Sequence, residues 1–370
     1  MHVGYAPIFQ NLGQKVSDHE AYVQELRLAD LAEPLGFESI WEPEHHFTDY
    51  EMTPDVLQFL TYMAGRTRTV KLGSMVVVLP WHDPLRVAEK VVLLDHLSGG
   101  RTIFGMGRGL GAIEFDGFRV SMTDSRQIFT ESAEAIVAAL ANGHMEYDGK
   151  FVKQPYREIR PAPFKSFEGR LFGAGLSPET GPIMAKLGLA MMIFPIKAWE
   201  DVRKSLDDYA VAWQGARPGT TVPKPVTVAF CFVDKDPVRA KEMATEYVGN
   251  YYKSIIAHYD MAGDRLKGTK GYEFYSKTVQ ANQDDLDGTI RHFVDLMPWG
   301  TPEQVVRKIR DVHDYTGNNC VITHFSFGGM AYDEAERNMR LFAAEVMPAV
   351  KAIKTEPFLQ PSKMVADVAA

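Results

Sequence analysis

Chemistry is first visible at Glu42-Pro43-Glu44-His45-His46-Phe47. Two carboxylates and two histidines fall within five positions there, at the end of a strand-like run. Histidine titrates near neutrality and can pass a proton to or from a reacting group, while a neighbouring carboxylate can orient the ring. One reading is an acid/base cluster. The other is a hydrogen-bonded core histidine beside a surface one. Metal binding is disfavoured by spacing, because adjacent strand residues point to opposite faces and no third ligand lies nearby in sequence. Downstream, Leu79-Pro80-Trp81-His82-Asp83-Pro84 reads as a rigid loop, with His82 a polar loop residue rather than a catalyst.

A second kind of chemistry is suggested at two glycine-rich strand ends. In Gly105-Met106-Gly107-Arg108-Gly109-Leu110-Gly111, alternate glycines let the backbone approach a flat or anionic ligand, and Arg108 offers a planar donor fork suited to phosphate. In Gly173-Ala174-Gly175-Leu176-Ser177-Pro178-Glu179-Thr180, the chain runs into a helix with Ser177 as the natural N-cap, which makes an anion site of free amides and two hydroxyls. Each has a plainer reading, a solvated arginine in a turn and a capping box without ligand. Two such ends on neighbouring strands point together to a phosphate-bearing cofactor. Cys231 and Cys320 are flanked by apolar residues and read as inert core thiols, and no GxSxG nucleophile elbow is present. Tyr251-Tyr252 and residues 325–327 read as core or pocket wall.

The elements that must position these residues alternate. Apolar, β-branched runs at 2–8, 36–42, 70–79, 102–107, 170–175, 189–194, 226–234 and 321–327 read as strands buried on both faces. Helical spacing fills the gaps at 18–35, 54–66 (Thr53 as N-cap), 85–97, 125–142, 179–187, 198–214, 237–252, 302–315 and 333–350. Strand and helix alternating about eight times is the pattern of a (β/α)8 TIM barrel, an α/β fold whose active site lies at the C-terminal strand ends. A doubly wound sheet is the competitor, and the missing GxGxxG after the first strand argues against it. Residues 1–359 then form one barrel domain, with a polar insertion at 144–166, a long lid-like insertion at about 258–300, and a frayed tail at 360–370.

Composition bounds the partners. The 370 residues carry 40 basic and 48 acidic side chains, a net charge of −8, which disfavours a nucleic-acid or membrane-surface partner. Two cysteines without a CxxC pair, no leader-like segment and no apolar run of spanning length lead to the expectation of a cytoplasmic protein.

Taken in order, the motifs resemble the bacterial luciferase-like, flavin-dependent monooxygenases, in the branch of the luciferase α subunit. The matching stretches include Glu44-His45-His46-Phe47-Thr48, Val78-Leu79-Pro80, Ala88-Glu89 with Leu94-Asp95, and Gly100-Arg101. Others are Asp124-Ser125-Arg126, Ser177 with Thr180, Thr269-Lys270-Gly271-Tyr272, Gly300-Thr301-Pro302-Glu303 and Val346-Met347-Pro348. The resemblance implies a barrel that takes reduced FMN from a separate flavin reductase. It would use O2, through a C4a-peroxyflavin, to oxygenate a small apolar organic substrate such as an aldehyde or ketone.

On that resemblance the catalytic histidine falls on His45, with Glu44 orienting the cluster. The phosphate-binding arginine falls on Arg108, a second cation on Arg126, and the phosphate hydroxyls on Ser177 and Thr180. Gly109, Gly175 and Leu176 belong to the same cofactor cradle. A non-proline cis peptide against the flavin falls on Met75-Val76, the lid on about 270–297, and a homodimer interface on the helices near 54–66 and 85–97. The alternatives are an F420-dependent hydride-transfer enzyme of the same barrel and a non-catalytic flavin-binding subunit. There are departures: the reactive cysteine of luciferase aligns with Gly107, a tyrosine with Gly111, a tryptophan over the flavin with Pro195, and His82-Asp83 replaces the luciferase arrangement. The pocket is thus expected to differ from that of luciferase.

Overall fold

Parallel strands buried on both faces need every backbone group paired, and the computed structural model achieves this by closing the sheet on itself. It describes residues 1–175, 177–359 and 363–365. Eight strands, β1 (His2–Tyr5), β2 (Ser39–Glu42), β3 (Lys71–Ser74), β4 (Thr102–Gly107), β5 (Leu171–Ala174), β6 (Ala190–Ile193), β7 (Val226–Phe230) and β8 (Cys320–His324), pair in parallel, each with its neighbours in sequence. β1 closes the ring by pairing with β8, His2 opposite Cys320, and with β2, Gly4 opposite Ser39. Helices α1 (Asp18–Leu35), α2 (Val56–Arg66), α3 (Pro84–Leu97), α4 (Ala112–Phe118), α5 (Ser125–Asn142), α6 (Thr180–Leu187), α7 (Trp199–Ala216), α8 (Pro237–Tyr259), α9 (Leu286–Leu296), α10 (Pro302–Thr316) and α11 (Tyr332–Leu341) lie around it. Among the described residues no helix is long and apolar enough to cross a membrane. The fold is a (β/α)8 TIM barrel.

Several boundaries differ from the sequence reading, each for a local reason. The run 70–79 is two strands, Lys71–Ser74 and Val77–Val78, split around Met75-Val76, whose peptide bond is cis. α2 is capped by Asp55, whose side chain accepts from Gln58 N–H, and not by Thr53, which instead donates to Glu42 at 2.5 Å. α6 takes its cap at Glu179 without a side-chain bond; Ser177 is therefore not the N-cap, and its Oγ meets Thr180 Oγ1 at 3.1 Å. α8 runs on to Tyr259, so His258 belongs to a helix rather than to the insertion expected from 258. The polar insertion at 144–166 holds an antiparallel hairpin, His144–Asp148 with Lys153–Glu158. Of the tail expected to fray, residues 363–365 are described. They pair with the chain at 164–166, with Val365 N–H donating to Phe164 O at 2.9 Å.

One buried ion pair ties the first half of the barrel together. Arg170, just before β5, grips Asp95 of α3 through two hydrogen bonds of 2.7 and 3.2 Å and also donates to Thr102 O in β4. Both side chains are buried, so removing one partner strands a charge in the interior. Arg170→Met should lower unfolding stability by about 3–5 kcal/mol in urea denaturation. Arg170→Met combined with Asp95→Leu should recover a large part of that loss.

Candidate active site

One cavity of about 240 Å³ opens at the C-terminal ends of the strands. It collects residues from just beyond β2 and β3 and from β4, β5, β6, β7 and β8, together with α8 and the segment that follows it. Of the residues read from sequence, it is lined by Glu44, His45, Met75, Val76, Arg108, Gly109, Arg126, Gly175, Ser177 and Thr180. Leu176 lies outside the described residues.

β2 ends at Glu42, so the histidine pair lies in the loop beyond it, where Glu44 holds other members of the histidine cluster rather than His45. Glu44 does not hold His45. Its Oε1 accepts from His46 Nε2 at 3.1 Å and from His82 Nε2 at 2.5 Å, and its Oε2 from Val78 N–H at 2.8 Å. Burial pushes the Glu44 carboxyl up, yet those bonds outweigh it and leave the group below its ordinary pKa. His82 is therefore part of the site's hydrogen-bond frame and not a free loop residue.

His45 is held by residues that sequence reasoning missed. Nδ1 meets Glu114 Oε1 of α4 at 3.0 Å; Nε2 meets the Tyr259 hydroxyl at 3.1 Å, with Glu51 Oε2 3.6 Å away. Burial disfavours the charged ring, but Glu114 first and Glu51 next hold its pKa above the ordinary value. Glu114, despite its burial, is drawn down to about 2 by His45 and His258. Burial pushes the Glu51 carboxyl up against the pull of His45 and of the Tyr251 hydroxyl, which donates to Glu51 Oε1 at 2.9 Å. Glu114 Oε1 also accepts from the His46 amide at 3.0 Å and lies 3.3 Å from His258 Nε2, while Thr48 fixes the other edge of His258 at 2.9 Å. His45, Glu114 and His258 thus bring three ligand-type atoms within 4.8 Å of one another. The spacing argument against a metal looked for a third ligand close in sequence; the fold supplies candidates from α4 and α8 instead. A faint signal was available, since Glu114 lies three positions after the last glycine of the turn, Gly111, and Glu51 lies six positions after His45.

The anion side is built around two guanidinium groups. Arg108 Nη1 and Arg126 Nη2 both donate to the carbonyl of Gly271, at 2.9 and 3.0 Å, and the Arg108 fork stacks 3.9 Å over the ring of Tyr272. The Tyr272 hydroxyl donates to Gly109 O at 3.0 Å, and Arg265 of the same segment grips Asp116 of α4. The residues expected to form the lid therefore reach back onto the glycine-rich turn. The hydroxyls of Ser177 and Thr180 face the cavity at the N-terminus of α6, and Arg126 lies 3.3 Å from Glu179. Gly109 takes a left-handed φ of 82°, and a Cβ at Gly107 would run into Val76. Two arginines, two hydroxyls and a helix N-terminus in one wall are a donor set that fits a phosphate monoester.

The chain matches the luciferase-like monooxygenase family over residues 1–319. It is 28% identical over 340 residues to an alkanal monooxygenase alpha chain of Photorhabdus luminescens, covering 90% of this chain and 94% of that one. The solved monooxygenase RslO1 from Streptomyces bottropensis superposes with a TM-score of 0.76 at 25% identity, covering 94% and 99%. Two further structures share the fold. One is the oxygenating constituent of 3,6-diketocamphane monooxygenase from Pseudomonas putida with FMN (TM-score 0.72, 18% identity, coverage 94% and 98%). The other is an F420-dependent secondary alcohol dehydrogenase (TM-score 0.69, 16% identity, coverage 94% and 98%). With a family match that spans most of the chain and a barrel rim carrying the corresponding motifs, the chain belongs to the luciferase-like monooxygenases.

Proposed function

We propose that this monooxygenase is FMN-dependent and two-component: it takes reduced FMN from a separate flavin reductase and uses O2 to oxygenate a small, largely apolar organic substrate in the cytoplasm. The observation that carries this reading is that a phosphate cradle and a carboxylate-clamped histidine line one and the same cavity. The Glu44-His45-His46-Phe47 and Arg108 pattern, which resembles the FMN branch of the family, favours FMN over F420. A homodimer through α2 and α3 accounts for the exposure of Tyr62, Leu93 and Leu97 on those helices.

Reduced FMN, when bound, would supply the two electrons with which one oxygen atom of O2 enters the substrate and the other leaves as water. Arg108, Arg126, Ser177 and Thr180 hold its phosphate. Each guanidinium has five donors, so it can keep the Gly271 carbonyl and a phosphate oxygen together. Met75, Val76, Gly109 and Gly175 wall the cofactor's side of the cavity. His45 holds a proton between Glu114 and Tyr259, and the Tyr259 hydroxyl can pass it from His45 Nε2 into the cavity. Glu44 acts one step away, fixing His46 and His82 so that the loop carrying His45 keeps its place. The segment 270–297, latched through Gly271 and Tyr272, keeps water out during turnover.

Three measurements test this reading. His45→Ala should leave FMN binding nearly intact but cut coupled product formation about 100-fold or more, with peroxide released instead; unchanged coupling would remove His45 from the reaction. Arg108→Ala should weaken FMN far more than riboflavin, which lacks the phosphate, and F420 titrated in parallel should bind more weakly than FMN to the wild type. Glu114→Gln should move the pH-rate limb of His45 to lower pH, because the carboxylate that holds the histidine proton is gone. The same pairing sets stability. His45, with its raised pKa, stabilises the fold below its unfolded value near 6.5, and this is lost as pH rises through the folded pKa. Glu114 contributes above about 4.5 and loses that contribution as pH falls toward about 2. Glu114→Gln should therefore destabilise most between those limits, as read by thermal unfolding across pH.

A further inference from the structure

His324 ends β8, is buried, and lines the same cavity as His45, yet the mechanism above gives it nothing to do. Its Nδ1 lies 2.9 Å from the carbonyl oxygen of Ala6. A carbonyl oxygen only accepts, so Nδ1 carries the hydrogen, and in a neutral imidazole Nε2 is then a bare acceptor. Burial pushes the pKa of the ring down to about 3, which keeps it neutral at any ordinary pH. Phe230 covers one face of the ring, with centroids 4.6 Å apart and planes at 12°. The Nε2 edge is left to meet the cavity. Nε2 has no hydrogen-bond partner among the described residues, and unlike Glu114 Oε2 and His258 Nε2 it is not sealed away. Met192 and Val228 on the cavity wall offer no donor, and the Tyr251 hydroxyl is already given to Glu51.

We propose that His324 Nε2 is a fixed hydrogen-bond acceptor for the substrate, so that the enzyme selects an apolar molecule bearing a hydroxyl or N–H group directed toward the end of β8. A substrate that fills the cavity displaces water from Nε2. Without a donor of its own it leaves a buried acceptor unpaired, and that asymmetry rejects analogues lacking the group. His324 is in this sense a specificity-determining residue. The inference rests on the reading of the cavity as the oxygenation site, and its test uses binding alone.

Phenol and anisole are the probes, alike in size but only the first a donor. Titrated into the flavin-free full-length protein, phenol should bind at least about tenfold more tightly than anisole. In His324→Phe, with circular dichroism unchanged, that preference should fall to within about twofold. Equal binding of both probes by the wild type, or an undiminished preference in the variant, overturns the proposal. If the variant loses FMN affinity while the preference for phenol persists, the donor belongs to the flavin ring and the proposal also fails. Should His324→Phe not fold, nitrogen NMR of the wild type gives the answer. The unprotonated Nε2 resonance should shift with phenol and not with anisole, and absence of a shift overturns the assignment. None of these titrations depends on turnover, so their failure leaves oxygen consumption with reduced FMN as a separate question.

Discussion

A strand buried on both faces has no water for its backbone groups, so every N–H and C=O must find a neighbour. Here the sheet meets that demand by closure: β1 pairs with β8 on one side and β2 on the other, and no barrel strand keeps a bare edge. Closure also fixes where chemistry can occur. Parallel strands end at one rim, and residues from the second to the last strand converge there over a shared cavity. The buried Arg170–Asp95 pair locks α3 against the entry to β5.

At the rim the dominant electrostatic fact is a set of buried carboxylates. Glu44 and Glu114 stay ionised because each is surrounded by donors: His46, His82 and a backbone amide for the first; His45, the His46 amide and nearby His258 for the second. Glu42, with Thr53 as its hydrogen-bond donor and no charged partner, is pushed well above the ordinary carboxylate range by burial. Two kinds of acid thus coexist within one strand end. Glu44 and Glu114 organise charge, whereas Glu42 behaves as a neutral hydrogen-bonding group, and burial pushes Glu51 up as well despite His45 at 3.6 Å. His45 is the histidine clamped by two separate segments, Glu114 from α4 and Tyr259 from α8.

The anion side is coupled to the covering segment by shared donors. Gly271 O takes a hydrogen bond from each of the two arginines suited to a phosphate, and Tyr272 lies under one of them while bonding the glycine-rich turn. A group that binds Arg108 and Arg126 therefore acts at the point where the segment is fastened. The donors suited to an anion and the fastening of the segment are thus one set of interactions.

Local patterns carried much of this. The near-continuous apolar runs marked all eight barrel strands because parallel strands buried on both faces leave no polar alternation. The glycine spacing around Arg108 and the Ser177–Thr180 pair picked out residues that the fold sets on one cavity, because each group sits on consecutive backbone at a strand end. The Glu44-His45-His46 run likewise picked out two residues of the cavity lining, Glu44 and His45. What each group touches was decided only by the tertiary structure. His45 belongs with Glu114, 69 positions away, and with Tyr259, 214 positions away, rather than with its neighbour Glu44. His258 was read as loop because its helix outlasts the local apolar spacing, and His324 was hidden inside a strand. Glu44 and His45 lie in the loop beyond β2, where Glu44 turns to His46 and His82 and His45 to other segments. Barrel closure then brought the distant partners together.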